Sequence, residues 1–371
     1  LDVLIIGGGL GGLTAALDLR SHGYTVTLVE RQRYPFHRVC GEYISNEVLP
    51  YLRRLGADPA VLRPALLSRF QLSSPGGRLL SVPLDMGGFG ISRFTLDQHL
   101  AQLAEARGIT VLQGATVAAV TYQPGTDSHT VLLADGQQLA ARAVLGAFGK
   151  RSALDRQLQR PFFQQRSPYL GVKHHLRLDY PTDLIALHNF EDGYAGISAV
   201  EDGRYCFCYL TTRHNLKQHG TIAGLEQNVL ARNPQLRRIL ETAEFLYPQP
   251  EVINEISFAP KSCIEDHMLM CGDAAGLITP LCGNGMAMAI HGAHLASTHL
   301  HDFLQGRTTR ATLEARYRHS WHAQFGQRLR VGRLVQGLFG RPLLSEAVVA
   351  GLRYWPGGVR ALMRRTRGAT F

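Results

Sequence analysis

The stretch Val3-Leu4-Ile5-Ile6-Gly7-Gly8-Gly9-Leu10-Gly11-Gly12 runs from a four-residue apolar strand straight into a glycine-rich turn. Leu13–Arg20 continues in a helical pattern, Gly23 stops it, and Tyr24–Val29 reads as a second strand that ends in Glu30. The glycines fall as GxGxxG on Gly7, Gly9 and Gly12. In that spacing the first permits a tight turn, the second lets backbone approach a pyrophosphate, and the third lets helix and strand pack closely. The helix N-terminus faces the phosphate charge, and Glu30 is placed to accept hydrogen bonds from a ribose diol. A glycine-rich turn alone would be weak evidence. The strand, helix, strand and terminal acid together point to a dinucleotide, without saying which one.

The 371 residues, 45% hydrophobic and 18% charged, suit two subdomains or one large α/β unit with insertions. A disordered or fibrous chain is excluded. Lys+Arg exceeds Asp+Glu by ten, and only Lys150, Lys173, Lys217 and Lys261 are lysines. The six cysteines show neither CxxC nor zinc-ligand spacing, which fits free thiols in a reducing cytosol and no bound metal. No apolar run reaches membrane-span length and no charged leader precedes the first strand, so a cytoplasmic location is expected.

A second signature lies at 267–300. His267-Met268-Leu269-Met270-Cys271 reads as a strand and Gly272-Asp273-Ala274-Ala275-Gly276 follows, then Pro280, Gly283-Asn284-Gly285 and a small-residue helix. Asp273 could bind a chain of hydroxyls. The Gly283–Gly285 backbone could offer N–H groups, at a helix N-terminus, to a ring that becomes anionic on reduction. With the N-terminal motif, this resembles the flavoprotein monooxygenase (p-hydroxybenzoate hydroxylase-like) superfamily, near its geranylgeranyl reductase and flavin halogenase branches. The resemblance implies FAD, Asp273 as ribityl ligand, and Gly272, Pro280, Gly283, Asn284 and Gly285 around the flavin. Arg93-Phe94-Thr95-Leu96-Asp97-Gln98-His99-Leu100 resembles the RxxLDxxL segment, which would place Arg93 near the cofactor; the bland alternative is a surface arginine at a helix start. Val117 matches the adenine-contacting position, and Leu10 and Arg31 adjoin the nucleotide motif. Tyr34-Pro35-Phe36-His37-Arg38-Val39-Cys40-Gly41-Glu42 resembles the loop that crosses the flavin edge, so Cys40, Gly41 and Glu42 are candidates to line the reaction chamber, and Val39 and Cys40 to touch the cofactor.

The chain departs from these relatives in places. Phe148 stands where aromatic hydroxylases carry the aspartate of an Asp-Gly motif, so the electron donor, NAD(P)H in the relatives, is open. No lysine precedes Lys150 and no WxWxIP stretch occurs, which speaks against a halogenase. Around Tyr194 the reductase motif, roughly YxWxFP, keeps only its tyrosine.

The implied fold is α/β: a Rossmann-like FAD-binding domain (1–66, 93–160 and 256–300), an inserted β-sheet substrate domain (67–92 and 166–255) and a basic helical C-terminal segment (301–371). In the insert, Val172-Lys173-His174-His175-Leu176-Arg177 alternates, so Lys173, His175 and Arg177 share a strand face. Such a face is ordinarily solvated; pointed at the flavin, Lys173 or His175 could steer or protonate a substrate. The C-terminal segment holds thirteen arginines and three acids and therefore carries the whole excess charge. Val331, Leu334, Val335, Leu338 and Phe339 fall at helical spacing within it, and Tyr354-Trp355-Pro356 and Met363 lie near further arginines. It is expected to be either a basic helical cap or a weak contact for an anionic membrane surface or an acidic partner such as an acyl carrier. A nucleic-acid partner is not expected, because no basic-aromatic module is present. The resemblance implies an FAD-dependent monooxygenase that hydroxylates an aromatic or polyketide-like small molecule through a flavin C4a-hydroperoxide. The alternatives are a reductase of a lipid or isoprenoid and a non-catalytic flavin-binding redox module.

Overall fold

A computed structural model describes residues 1–279, 283–337, 341–354, 357–358 and 368–371, except the side chains at positions 335, 353 and 354. Pro280, Cys282, Leu338, Phe339, Trp355, Pro356 and Met363 lie outside the described residues. From the N-terminus come β1 (Val3–Ile6), α1 (Leu10–Ser21), β2 (Val26–Glu30), β3 (Tyr43–Ser45) and α2 (Leu49–Arg54). The hairpin of β4 (Ala65–Ser73) and β5 (Leu79–Gly90) leads into α3 (Arg93–Ala106) and β6 (Thr110–Gln113). Then follow β7 (Val117–Gln123), β8 (Ser128–Leu133), β9 (Gln138–Ala141), β10 (Ala143–Gly146), α4 (Ala153–Gln157) and α5 (Pro161–Gln164). The middle of the chain holds β11 (Tyr169–Arg177), β12 (Leu184–Phe190), β13 (Gly193–Ala199), β14 (Tyr205–Thr212), α6 (Arg213–His219), α7 (Ile222–Asn228), α8 (Pro234–Thr242), β15 (Glu244–Phe245) and β16 (Glu251–Asn254). Next are β17 (Ile264–Glu265), β18 (Met268–Met270), α9 (Gly285–Leu304), α10 (Arg310–Gln336) and α11 (Pro342–Tyr354).

The nucleotide sheet has the order β17-β18-β10-β1-β2-β6. β1 pairs in parallel with both β10 and β2, and all four of its residues are buried, as a continuous apolar run in a covered parallel sheet should be. The helix starts at Leu10, earlier than the apolar pattern at Leu13 suggests, because glycines 11 and 12 continue it. The second sheet runs β15-β11-β14-β13-β12-β4-β5-β3, with β16 also paired to β11. Its alternation sends Val172, Leu176 and Phe207 into a core with Leu225, Leu236 and Ile239 of α7 and α8. Lys173, His175 and Cys208 are left on the opposite face. A small β7-β8-β9 sheet completes the fold.

The C-terminal segment is no separate appendage. Leu313, Tyr317, Trp321, Phe325 and Leu329 recur every fourth residue along α10 and are buried in the core of the nucleotide unit. Two of its arginines are buried and paired, Arg310 with Asp127 and Arg328 with Glu47 at 3.5 Å. No described helix is long and apolar enough to cross a membrane.

Candidate functional site

The turn after β1 has the geometry of a phosphate cradle. Gly7 sits at φ +106°, and a Cβ there would lie 2.4 Å from the Ala147 carbonyl oxygen. A Cβ on Gly12 would come within 2.0 Å of the Gly7 oxygen, which explains why α1 can pack so closely on the sheet. A Cβ on Gly9 would meet only an Arg93 nitrogen, at 3.5 Å, so this glycine faces open space. The first helical bond of α1 runs from the Leu13 N–H to the Gly9 oxygen, and no side chain caps the helix. The earlier N–H groups are therefore available to a pyrophosphate. Glu30 ends β2 buried, accepting the Gly8 N–H at 2.8 Å, the Gln32 N–H at 2.9 Å and an Arg38 N–H at 3.1 Å. A carboxylate has about four acceptor positions, so one remains for a ribose hydroxyl. Arg31 and Val117 line the same end of the cavity. The residues present fit the adenine-nucleotide half of FAD.

Further along, Arg93 at the first turn of α3 is largely covered, its side chain only 11% exposed, and is not a free surface arginine. It grips Asp97 with two N–H bonds of 2.7 Å, and Arg38 reaches the same carboxylate at 3.1 Å. Leu10, Gly272, Asp273, Gly283, Asn284 and Gly285 line the cavity here. Gly283 lies at φ +63° with Tyr43 beside it, and α9 starts at Gly285. The positive end of a 20-residue helix thus borders the cavity where an anionic reduced ring would need it. Lys261 supports this turn from behind, donating to the carbonyls of Asp273 at 2.8 Å and Lys150 at 2.7 Å. Burial pushes its pKa down to about 8, against the pull of the Asp273 charge. Pro280 lies outside the described residues.

The largest departure from expectation concerns β11. The solvated reading of its polar face fails for Lys173 and His175, which are buried, and holds for Arg177, which is exposed. Both buried groups converge on Glu42 of the flavin-edge loop: Lys173 Nζ lies 2.5 Å from Oε1, and His175 Nε2 lies 2.7 Å from Oε2. The Arg93 backbone N–H adds a third bond at 2.8 Å. Burial alone would raise the Glu42 carboxyl, but the Lys173 charge and the His175 bond outweigh it and hold the pKa at about 2. Glu42 is then acceptor-only, so His175 must carry a proton on Nε2. Burial opposes the Lys173 charge too, and Glu42 overrides it and raises the pKa. Cys206 Sγ lies close to this cluster, within 4.8 Å of the ligating atoms of Glu42 and His175. The ammonium of Lys173 already supplies the positive charge that a metal ion would bring there.

These groups pin the loop at the waist of one continuous cavity of about 880 Å³, toward the upper end for small-molecule sites. Val39, Cys40 and Glu42 line it, with Cys208 and Tyr194 from the large sheet and Phe148 from the end of β10. Lys173 and His175 stand behind Glu42 and do not line it. Beyond the loop the walls turn apolar, with Phe70, Leu72, Ile185, Leu187 and Leu277. Sequence reasoning missed three contributors. Arg38 ties Glu30 to Asp97; Tyr34 donates to the Gly8 carbonyl at 2.5 Å; α11 lends Val348 and Leu352 to the chamber. The first two lie inside the loop already singled out by resemblance. For α11 the chain carries no local signal.

Residues 1–329 match the family described as FAD binding domain. The chain belongs to that family. The family is of the flavoprotein monooxygenase type, and the relatives of this chain include both monooxygenases and a digeranylgeranylglycerophospholipid reductase. It is 24% identical over 321 residues to menaquinone reductase of Mycobacterium tuberculosis, covering 80% of this chain and 75% of the relative. It is 24% identical over 310 residues to aurachin C monooxygenase/isomerase of Stigmatella aurantiaca, covering 79% of each. Among solved structures, PqsL of P. aeruginosa, in complex with 2-aminobenzoylacetate, superposes with a TM-score of 0.77 at 19% identity, over 94% of this chain and 99% of that one. The flavin-dependent halogenase CmlS superposes with 0.75 at 22% identity; 88% of this chain is covered, but only 62% of CmlS.

Proposed function

We propose that this FAD-dependent oxidoreductase is a monooxygenase that hydroxylates an aromatic or polyketide-like small molecule, drawing electrons from NAD(P)H. The observation that carries the reading is the single cavity, which runs from the glycine cradle past the pinned Cys40–Glu42 loop into an apolar, sheet-walled chamber. FAD, when bound, would supply the two-electron chemistry with oxygen, so that substrate C–H, O₂, NAD(P)H and a proton yield C–OH, water and NAD(P)⁺. The protein's share is placement. Glu30 and the α1 N-terminus would hold the nucleotide, and Arg93, Asp273 and Gly283–Gly285 would border the ring. The Glu42–Lys173–His175 cluster fixes the loop that lines the cavity, so that its Cys40–Glu42 stretch would hold one position beside a bound flavin. The aurachin C monooxygenase/isomerase relative supports the reaction type. The test is turnover of holoenzyme with NADPH, or a single turnover after anaerobic reduction with one equivalent of dithionite, with a panel of phenols and ¹⁸O₂ then admitted. One labelled oxygen in the product is expected; oxygen uptake that ends only in uncoupled peroxide would overturn the reading.

A second reading, reduction of an isoprenoid or quinone-like lipid, is favoured by the apolar walls at Leu72, Leu187 and Leu277 and by the menaquinone reductase relative. It predicts anaerobic turnover of a polyprenyl substrate by the dithionite-reduced enzyme.

A further inference from the structure

Helix α11 begins at Pro342, past residue 329 where the family match ends, yet it forms part of the chamber. Val348 and Leu352, one helical turn apart, line the cavity. Val349 between them is 1% exposed and packs in a cluster with Leu72, Leu187 and Leu277, so the helix is seated on the chamber wall. A second anchor holds it from the side. The Glu346 carboxylate accepts the Gly76 N–H at 2.5 Å in the β4–β5 turn, with Arg78 at 3.9 Å. The same hairpin contributes Phe70, Leu72 and Leu84 to the lining. One end of the chamber is therefore closed by apolar side chains from a hairpin and from a helix that lies beyond the residues of the family match.

We propose that α11 is the specificity element of this chain, with Val348 and Leu352 setting how long an apolar tail the substrate can carry. The proposal rests on the reading that the chamber takes a small organic substrate. It adds the class of that substrate: a compact reacting head with an apolar tail directed at α11. The α9 N-terminus borders the loop end of the cavity, whereas the described residues grouped with α11 are apolar save for the Tyr194 hydroxyl and offer mainly dispersion contacts and water exclusion. Selection at that end must then be by length and shape.

The experiment uses holoenzyme and a series of 4-alkylphenols from ethyl to octyl, with binding read from the change in the flavin absorbance, so no turnover is needed. Each buried methylene should improve affinity about fourfold until the tail meets α11, where the gain stops. Leu352→Trp should move that plateau to shorter tails, and Leu352→Ala and Val348→Ala to longer ones, with FAD content unchanged. Opposite shifts from substitutions at one position cannot come from general destabilisation. A plateau at the same length in all variants overturns the proposal, as does failure of every alkylphenol to bind. If the plateau moves but no labelled hydroxylation product forms, the specificity element stands and the monooxygenase reading falls.

Discussion

At Glu42 a positive φ of 54°, complete burial and three hydrogen bonds meet in one residue. Removing one partner of a buried ion pair leaves the other charge uncompensated, which typically costs about 3–5 kcal/mol. Glu42→Gln is therefore expected to destabilise the protein by that order in chemical denaturation and to lower its FAD content. Glu42→Gln with Lys173→Met should recover most of the stability, since the stranded ammonium is gone. A single-variant loss below about 1 kcal/mol would show that the pair does not anchor the loop. The carboxyl also has a pH signature. Its folded pKa of about 2 lies below its ordinary 4.5, so its stabilisation is present above pH 4.5 and fades as the pH falls toward 2. His188 acts at higher pH. It is buried beside Ser73 Oγ at 2.9 Å, and burial pushes its pKa down to about 4. Unfolded, it takes a proton near 6.5, which the folded chain accepts only near pH 4. Stability should thus fall between pH 6.5 and 4, by up to about 3 kcal/mol. Urea midpoints across that range should fall less steeply in His188→Gln, while His37, His129 and His291, also pushed down by burial, keep their share of the slope.

Among the elements, α1 is held against β1 by the near-contact of Gly12 with the Gly7 carbonyl. Gly12→Ala must push helix and strand apart, and the expected result is purified protein with most of its FAD lost, measured by flavin absorbance per chain. Full FAD occupancy would contradict the packing role. This part of the fold was legible in the sequence because its signals are local: glycine spacing, the Gly23 stop and the Glu30 terminus all fall within thirty residues. The β4–β5 turn is a local signal of the same kind, Ser74-Pro75-Gly76-Gly77, and Gly77 adopts φ +88° there. The Glu42–Lys173 pair was not, because its partners are 131 positions apart, and an alternating polar strand face looks the same whether water or a buried carboxylate awaits it. Arg93 offered a middle case. Its i,i+4 spacing to Asp97 was visible, but its burial depends on the loop carrying Arg38 folding over it.

Over the whole molecule, the charge excess of ten resides in residues 301–371, but the fold uses part of it internally through Arg310 and Arg328. Arg330 and Arg333 precede Leu334, which is 72% exposed, and Arg341 stands two positions before Leu343, at 88%. Basic and apolar groups interleaved in this way suit the surface of an anionic bilayer. Pelleting with phosphatidylglycerol vesicles at low salt is expected, and it should be lost with neutral vesicles and in Arg330→Glu/Arg333→Glu/Leu334→Asp; equal pelleting throughout would sink the idea. Deleting everything after residue 306 is an unsuitable test, because α10 supplies Tyr317, Trp321 and Phe325 to the core. Strand β3 joins the large sheet to the nucleotide unit. It hydrogen-bonds to the edge of the large sheet at Gly88–Gly90, while its Ile44 packs in the core of the nucleotide unit. Such a stitch leaves no plane along which the two halves could melt independently. Scanning calorimetry should record one endotherm with equal calorimetric and van't Hoff enthalpies, and a ligand gripping only the chamber should raise the melting point of the cradle by the same number of degrees.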